Sequence, residues 1–245
     1  MKSFFNEGLS DATDGFFSHR PRWLTTSKSK LFFSTDLKER LNGASPENSL
    51  MSTIPARFDE WAPIARAQYL ETKNLLPGYI LSSQGDRVSM AHSLEGRVPF
   101  LHHRVVEFCA RLPLHYKIRG LNEKYILKKC VKRYLPKRIV KRTKQPYMAP
   151  DSKSFFHGFF HGGKGMDYVE ELLSEERISE YGYFNPKPVK LLENKCRKGN
   201  IVGFKDNMAV VGILSTQLLH KRFVEDFPNN IEKVENVRDV NQPVA

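Results

Sequence analysis

A loop at residues 141–150 carries the cations Arg142 and Lys144, which are two positions apart and follow a basic segment. Cations fixed beside phosphate oxygens stabilise the charge that develops during phosphate chemistry, because attraction is strong where water is excluded. Lysine acts there as a point charge, whereas arginine can also pair with a carboxylate. Taken alone, an Arg-x-Lys loop is more often simply part of a solvated surface. The pair alone therefore predicts either an anion site or an exposed basic loop.

The segment before this loop is unusually rich in positive charge, and Glu123 is its only acidic residue. Its cations are Lys117, Arg119, Lys124, Lys128, Lys129, Lys132, Arg133, Lys137, Arg138, Lys141, Arg142 and Lys144. The whole chain has a net charge of +12, from 39 basic and 27 acidic residues. Such an excess can attract nucleic acid, anionic lipid or a small polyanion such as ATP or pyrophosphate. A solvated helix face followed by a loop is the alternative.

Four further charged residues lie among apolar ones: Asp86, Arg87, Glu95 and Arg97. Charges in such a setting need partners. We expect them to support the loop at 93–100 by pairing, while direct contact with a substrate stays open.

No metal site is expected. The adjacent His102 and His103 would point in different directions at the start of a helix, and His92 has no neighbouring ligand. The cysteines, Cys109, Cys130 and Cys196, are far apart in sequence. They are interpreted as reduced core thiols of a cytoplasmic protein. No apolar run is long enough to span a membrane, and no signal peptide is recognised.

Apolar periodicity and capping signals predict helices at 35–41, 59–76, 79–91, 103–111, 122–135, 167–173, 174–181, 186–199 and 204–227. Asp59 and Asn122 are expected as caps, and Pro77-Gly78 as a break. Residues 19–24 and 44–52 are expected as a turn and a loop. One buried stripe should contain Ile126, Leu127, Cys130, Val131 and Tyr134. A second should contain Met208, Val211, Leu214, Leu218 and Phe223. With no strand ladder in sight, the expected fold is mainly α.

Three stretches of sequence together resemble one family: LPGYILSSQGDRVSMAHSLEGRVPFL at 76–101, EKYILK at 123–128 with the following Leu135-Pro136, and KRTKQPYMAP at 141–150. In this order and spacing they are similar to the synthetase domain of glutamine-hydrolysing asparagine synthetases. Residues 206–220 are similar to that domain's last helix, so the resemblance covers nearly the whole chain. It implies the helical C-terminal part of an adenine-nucleotide α-hydrolase-like (PP-loop ATP pyrophosphatase) synthetase domain. We assign 1–56 to an irregular N-terminal segment of that domain, truncated, 57–228 to its helical subdomain and 229–245 to a disordered tail.

The resemblance also implies a reaction. Family members release ammonia from glutamine, adenylate the aspartate β-carboxylate with ATP and Mg²⁺, and form asparagine and AMP. Lys144 matches the family lysine that contacts the phosphates, so it is the candidate catalytic and nucleotide-binding residue. Arg142 is a second candidate for nucleotide binding.

The chain also departs from the family pattern. It shows no amino-terminal nucleophilic cysteine, no Ser-Gly-Gly-x-Asp-Ser nucleotide loop and no Gly-Glu-Gly-x-Asp-Glu stretch, and His102 stands where the family usually has aspartate. We therefore expect a truncated or split product that holds no cofactor and has no activity alone. Its expected partners are the upstream glutaminase and PP-loop segments, in cis or in trans, with aspartate, ATP and ammonia as small molecules. Neither a membrane nor a nucleic acid is expected as a partner.

Two alternatives remain open. The chain could be a degenerate remnant whose basic residues bind a polyanion or a protein, or it could amidate a different carboxylate. The residues that would select the carboxylate lie mostly in the missing part. If the helices normally cover a sheet, their apolar sides should be exposed here.

Overall fold

The computed structural model describes residues 13–120, 122–145, 151–156, 166–198 and 203–227. The chain divides into two compact units. The central unit consists of Gly8–Arg20 and Met51–Tyr147, and the C-terminal unit of Met1–Glu7, Pro21–Leu50 and Met148–Ala245. The domain boundaries inferred from the sequence stay predictions. The glycine-rich segment 157–165 and the tail 229–245 lie outside the described residues.

The elements up to residue 145 are short and mostly helical. They are α1 (Arg20–Ser27), a 3₁₀ turn (Lys28–Phe32), α2 (Thr35–Leu41), α3 (Pro46–Met51), a 3₁₀ turn (Phe58–Glu60), α4 (Pro63–Leu70), a π-helix (Glu71–Asp86), α5 (Arg87–Ala91), a 3₁₀ turn (Pro99–Leu101), α6 (His103–Arg111), α7 (Leu114–Lys117), β1 (Ile118–Arg119), β2 (Asn122–Glu123), α8 (Tyr125–Val131) and α9 (Lys137–Val140).

The elements after residue 150 belong to the C-terminal unit. They are α10 (Asp151–Phe156), α11 (Asp167–Leu172), α12 (Glu175–Tyr181), α13 (Pro186–Arg197), α14 (Phe204–His220) and a π-turn (Lys221–Glu225). The fold is mainly α, as expected; within the described residues the strands are limited to the short antiparallel hairpin β1–β2 and a single bridge between Phe33 and Phe184. None of the described helices combines the length and apolar character needed to cross a bilayer.

Local capping chemistry explains the helix boundaries that the sequence predicted well. The Ser34 hydroxyl accepts a hydrogen bond from the Leu37 N–H at 3.1 Å, and Ser174 does the same for Arg177 at 3.2 Å. The C-cap of α12 is Gly182, with a φ of +72°, a left-handed conformation that glycine adopts without strain.

Several expected boundaries are wrong because proline and the caps act differently. Pro46 begins a helix where a loop was expected, and Pro21 lies in the first turn of a helix where a turn was expected, since a proline in the first turn has no N–H left unbonded. Asp59 lies in a 3₁₀ turn, and α4 begins at Pro63 without a side-chain cap. Asn122 lies in β2, and Lys124 precedes α8 in a left-handed conformation.

The expected break at Pro77-Gly78 is also wrong. Helical structure runs without interruption from Pro63 to Ala91, and the stretch Glu71–Asp86 has π geometry. Its hydrogen bonds reach five residues back, as the bond from the Ser83 hydroxyl to the Gly78 carbonyl at 2.9 Å also does. The wider π turn accommodates the proline, which would disrupt a narrower α-helical turn.

The C-terminal unit has a well-formed apolar core. Helices α10 to α14 and the segment around Phe184 contribute Phe156, Val169, Leu172, Leu173, Ile178, Tyr181, Phe184, Val189, Leu192, Cys196, Ala209, Val210, Ile213 and Leu214. This burial is the main stabilising contribution to the unit, because apolar area removed from water contributes in proportion to its size.

The inward face of α14 differs from the stripe that the sequence predicted. Val210, Ile213, Leu214 and Gln217 are buried, whereas Val211 is 38% exposed. The fully buried Gln217 side chain donates to the Leu172 carbonyl at 3.2 Å and to the Arg177 carbonyl at 3.4 Å. The face was misassigned because α14 has apolar residues on more than one side and its inward face includes this amide. Phe223, also expected inside, is 65% exposed in the π-turn after α14.

A buried carboxylate in α13 is neutralised by two cations. Glu193 is only 4% exposed and accepts hydrogen bonds from Lys190 at 2.8 Å and from Arg197 at 2.6 Å. Arg197 also contacts Glu170 at 3.0 Å. A buried charge is tolerated only with such partners.

The central unit contains a small aromatic cluster near its start. Phe58 is 3% exposed. Its ring centre lies 5.9 Å from that of Phe16, 5.6 Å from that of Trp61 and 5.9 Å from that of Tyr69. Beyond this cluster, many large apolar side chains of the unit stay exposed.

The three cysteines differ in accessibility. The expectation of core thiols is wrong for Cys109 and Cys130, which are exposed, whereas Cys196 is buried. Burial, reinforced by the nearby Asp206 carboxylate, raises the pKa of Cys196 to about 12. Thiolates are the reactive form of cysteine.

We expect two of the three cysteines to react with a chromogenic disulfide in the native chain at neutral pH. Cys196 should react only after unfolding, because it is shielded and protonated. Kinetics of thiol release measure this, and Cys196→Ala should leave the fast phase unchanged. Equal native reaction rates for all three thiols would contradict the structure.

Adjacent leucines in α13 provide a second test. Leu192 is 5% exposed and Leu191 is 72% exposed. Leu192→Ala should lower the free energy of unfolding of the C-terminal unit by about 2–5 kcal/mol, because it leaves a cavity. Leu191→Ala should change it by less than about 0.5 kcal/mol. Denaturant titration followed by circular dichroism compares them, and similar losses in both would argue against this orientation of α13.

Candidate functional site

The candidate anion-binding loop follows α9 directly. The Arg142 N–H donates to the Ile139 carbonyl at 3.3 Å, which holds the start of the loop against the helix. The side chains of Arg142 and Lys144 are exposed. Among the described residues, neither side chain has a recorded hydrogen bond or salt bridge. The rest of the loop, at 146–150, lies outside the described part of the chain.

The hairpin β1–β2 leads into the basic helix α8. Ile118 pairs with Glu123 and Arg119 with Asn122, and Gly120 supplies the positive φ of +60° that the tight turn requires. The Lys128 ammonium then donates to the Asn122 side-chain oxygen at 3.0 Å. These contacts fix the beginning of α8 next to the hairpin.

Tyr125 organises two cations at the start of α8. Arg119 donates to its phenol oxygen at 2.9 Å, while the Lys129 ammonium lies 5.0 Å from the ring centre. A hydrogen bond from Lys129, followed by that from Arg119, lowers the pKa of Tyr125. The sequence analysis did not single out this cluster. The spacing of Tyr125 and Lys129, four residues apart on one helix, is the signal that could have revealed it.

The four supporting residues lie on the central unit and are exposed. Asp86 ends the π-helix and Arg87 begins α5. Glu95 and Arg97 form a salt bridge with each other at 2.9 Å, with side chains 73% and 80% exposed. Exposed ion pairs contribute little to stability. Whether any of the four contacts a substrate stays a prediction.

His102 occupies the position where aspartate was expected from the family pattern. Its Nδ1 accepts a hydrogen bond from the Arg104 N–H at 3.3 Å and so caps α6. Aspartate is a preferred residue for the same role. The substitution therefore keeps the cap while removing a negative charge from this surface.

The apolar residues of the central unit are largely uncovered. The predicted buried stripe of α8 is wrong as a core element: Leu127 is 37% exposed, Tyr134 is 70% exposed and Cys130 is exposed. From residue 79 to residue 139 the exposed large apolar side chains are Tyr79, Ile80, Val88, Met90, Leu94, Val98, Phe100, Val106, Phe108, Tyr116, Leu127, Tyr134, Leu135 and Ile139. The candidate site residues are thus surrounded in sequence by apolar side chains that no described residue buries.

No group of three or more histidine, cysteine or acidic side chains within the described ranges is arranged to hold a metal ion. The basic loop and hairpin instead offer donors suited to anions.

Comparison with known proteins assigns most of the chain to one family. The asparagine synthase family model matches residues 10–221. The amidase chyE of Penicillium rubens is 27% identical over 231 residues, which are 89% of this chain and 33% of that protein. Asparagine synthetase 1 of Bacillus subtilis is 29% identical over 200 residues, which are 80% of this chain and 29% of the relative.

A putative glutamine-hydrolysing asparagine synthetase of Mycobacterium tuberculosis is 33% identical over 122 residues, which are 49% of this chain and 19% of that protein. The chain thus spans a third or less of the length of these relatives. No solved structure matches it.

The Tyr125 cluster can be tested by titration. Lys129→Met should raise the pKa of Tyr125 towards its usual value near 10, because the main hydrogen bond that favours the phenolate is lost. Ultraviolet absorbance of the chain, minus that of a Tyr125→Phe variant, isolates this phenol.

The matched control is Lys132→Met, which removes a nearby cation that does not contact Tyr125. An identical titration curve in the Lys129→Met variant and the unsubstituted chain would contradict the cluster.

Proposed function

Because the chain belongs to the asparagine synthase family, we propose that it is the C-terminal portion of an enzyme that makes asparagine from aspartate, ATP and glutamine-derived ammonia. The observation that carries the proposal is the loop of Arg142 and Lys144, whose exposed cations have no partner among the described residues and follow a segment rich in uncompensated positive charge. The donors of this loop fit the phosphates of a nucleotide.

In the proposed reaction, a β-carboxylate oxygen of aspartate bonds to the α-phosphorus of ATP as the bond to pyrophosphate breaks. Negative charge then grows on the phosphate oxygens. The Lys144 ammonium holds this charge, and Arg142 grips the same anion or a neighbouring carboxylate. Ammonia then attacks the activated carboxyl carbon and displaces AMP.

Lys144 can act strongly only in a site from which water is excluded. In this chain it is exposed. We infer that the glutaminase and nucleotide-binding segments found in longer family members supply the remaining walls of the site, in cis or in trans. The exposed apolar side chains of the central unit support this inference, since an uncovered apolar surface of this extent is typical of an interface. Mg²⁺, when bound with the nucleotide in the complete enzyme, would neutralise part of the phosphate charge.

The loop of Glu95 and Arg97 plays a supporting part in this proposal. They form a salt bridge with each other in a segment that contains Gly96 and precedes Pro99. Asp86 and Arg87 lie in the stretch 76–101 that resembles the family, and we assign them a similar supporting role.

We expect the purified chain to release no pyrophosphate from ATP with aspartate, Mg²⁺ and ammonium. Co-expression with the polypeptide of the same genome that carries the glutaminase and nucleotide-binding segments should give a complex with turnover. Lys144→Met should then reduce turnover by at least about a hundredfold, the scale seen when a charge-stabilising donor is removed.

Lys141→Met is the matched control, because it removes an exposed cation three residues away and should leave turnover near normal. Robust activity of the isolated chain would overturn the proposal that it is incomplete. A stable but inactive complex would support the alternative of a degenerate remnant.

A second candidate is amide formation on a carboxylate other than aspartate. It is favoured by one comparison: the relative that matches 89% of this chain is named an amidase. Turnover by the complex with a panel of amino-acid and aryl carboxylates, and not with aspartate, would select this candidate.

A further inference from the structure

The helices α8 and α9 and the turn between them form a second feature, which we call the basic surface. It spans residues 124–141 and contains eight cations and no acidic residue: Lys124, Lys128, Lys129, Lys132, Arg133, Lys137, Arg138 and Lys141. All eight except the half-buried Lys128 are exposed. Within the described part of the chain, no salt bridge to any of them is recorded.

The C-terminal unit treats its cations differently. Lys195 pairs with Asp206 at 2.5 Å, Arg197 with Glu193 at 2.6 Å, and Arg177 with Glu180 at 2.7 Å. Where this chain compensates positive charge internally, the contacts are therefore close and numerous. The basic surface lacks that compensation, so its charges repel one another until an acidic partner arrives.

The cations of the basic surface also alternate with exposed apolar side chains. Leu127 is 37% exposed, Leu135 42%, Ile139 47% and Tyr134 70%. The Arg133 guanidinium lies 4.6 Å from the Tyr134 ring centre, which fixes a charge beside an apolar face. Charge and apolar area are thus presented together within eighteen residues.

We propose that the basic surface docks an acidic, amphipathic segment of a partner polypeptide. Such a segment supplies carboxylates for the cations and apolar side chains for Leu127, Leu135 and Ile139. A single nucleotide carries too few charges to engage cations spread over two helices. A nucleic acid would neutralise the lysines but would leave the aliphatic side chains against water or phosphate. This interaction does not depend on Lys144 or on the proposed synthetase reaction.

Binding of three labelled probes to the full chain tests the proposal by fluorescence anisotropy. The first is a peptide of glutamate and leucine at helical spacing. The second has the same length and number of glutamates, with glycine in place of leucine. The third is a single-stranded oligonucleotide of equal charge. We expect the glutamate–leucine peptide to bind most tightly, and its affinity to fall as salt is raised.

Two sets of variants separate the contribution of charge to peptide binding from that of apolar contact. Charge reversal by Lys132→Glu, Lys137→Glu and Arg138→Glu should lower the affinity for the glutamate–leucine peptide by more than about tenfold, because like charges then face each other. Leu135→Gln with Ile139→Gln should lower its affinity to that of the glutamate–glycine peptide, whose affinity should not change. Within the described residues, none of these five side chains forms a hydrogen bond or an ion pair.

The matched control reverses three exposed cations of the C-terminal unit, Lys30→Glu, Lys187→Glu and Lys198→Glu, with the same change in net charge. It should bind the peptide at least several times more tightly than the variant reversed on the basic surface. Circular dichroism checks that each variant stays folded. Equal losses in the two reversals, equal affinity for both peptides, or tighter binding of the oligonucleotide or of anionic vesicles would overturn the proposal.

Discussion

An ammonium group stabilises a phosphate strongly only where water has been removed from around both. This constraint bears on the proposed function, because the side chain of Lys144, the candidate phosphate contact, is exposed. The chain belongs to the asparagine synthase family and spans a third or less of the length of its longer relatives. Under the proposed function, other segments supply the remaining walls of the site, and the exposed apolar side chains of the central unit support that proposal.

The C-terminal unit and the basic segment of the central unit differ in how their positive charge is balanced. In the C-terminal unit, carboxylates such as Glu193 and Glu171 lie against arginine and lysine side chains, so the charge is balanced within the fold. In the central unit, the segment that precedes Lys144 is left unbalanced. An unbalanced surface raises the local concentration of anions before any specific contact forms. Under the proposals above, the C-terminal unit, which packs and balances its own charges, acts as a scaffold. The central unit, whose basic segment is unpaired, carries the recognition surface.

Sequence patterns predicted the elements whose signals are local. The helices at 35–41 and 175–181 begin at serine caps and end near glycine, so neighbouring residues alone determine them. The break expected at Pro77 was wrong because the energetic cost of a proline depends on whether the turn around it is α or π. The surrounding residues decide which kind of turn forms. The inward faces of α8 and α14 were misjudged because periodicity identifies an apolar side without showing what covers it. The candidate site was located by motif, whereas the pairing of Tyr125 with Arg119 and Lys129 depended on the hairpin.

The buried amide of Gln217 limits which amino acids position 217 can accept. The limit is stricter than at the neighbouring apolar positions. The two N–H groups of Gln217 serve carbonyls at the end of α11 and within α12, so a single side chain links three helices. A leucine would fill a similar volume but would remove the hydrogen bonds to both carbonyls, and a glutamate would set a carboxylate against them. Valine, isoleucine and leucine can replace one another nearby with modest repacking. Position 217 is therefore one of the places in this helical unit where chemistry, and not only size, decides which amino acid can be accepted.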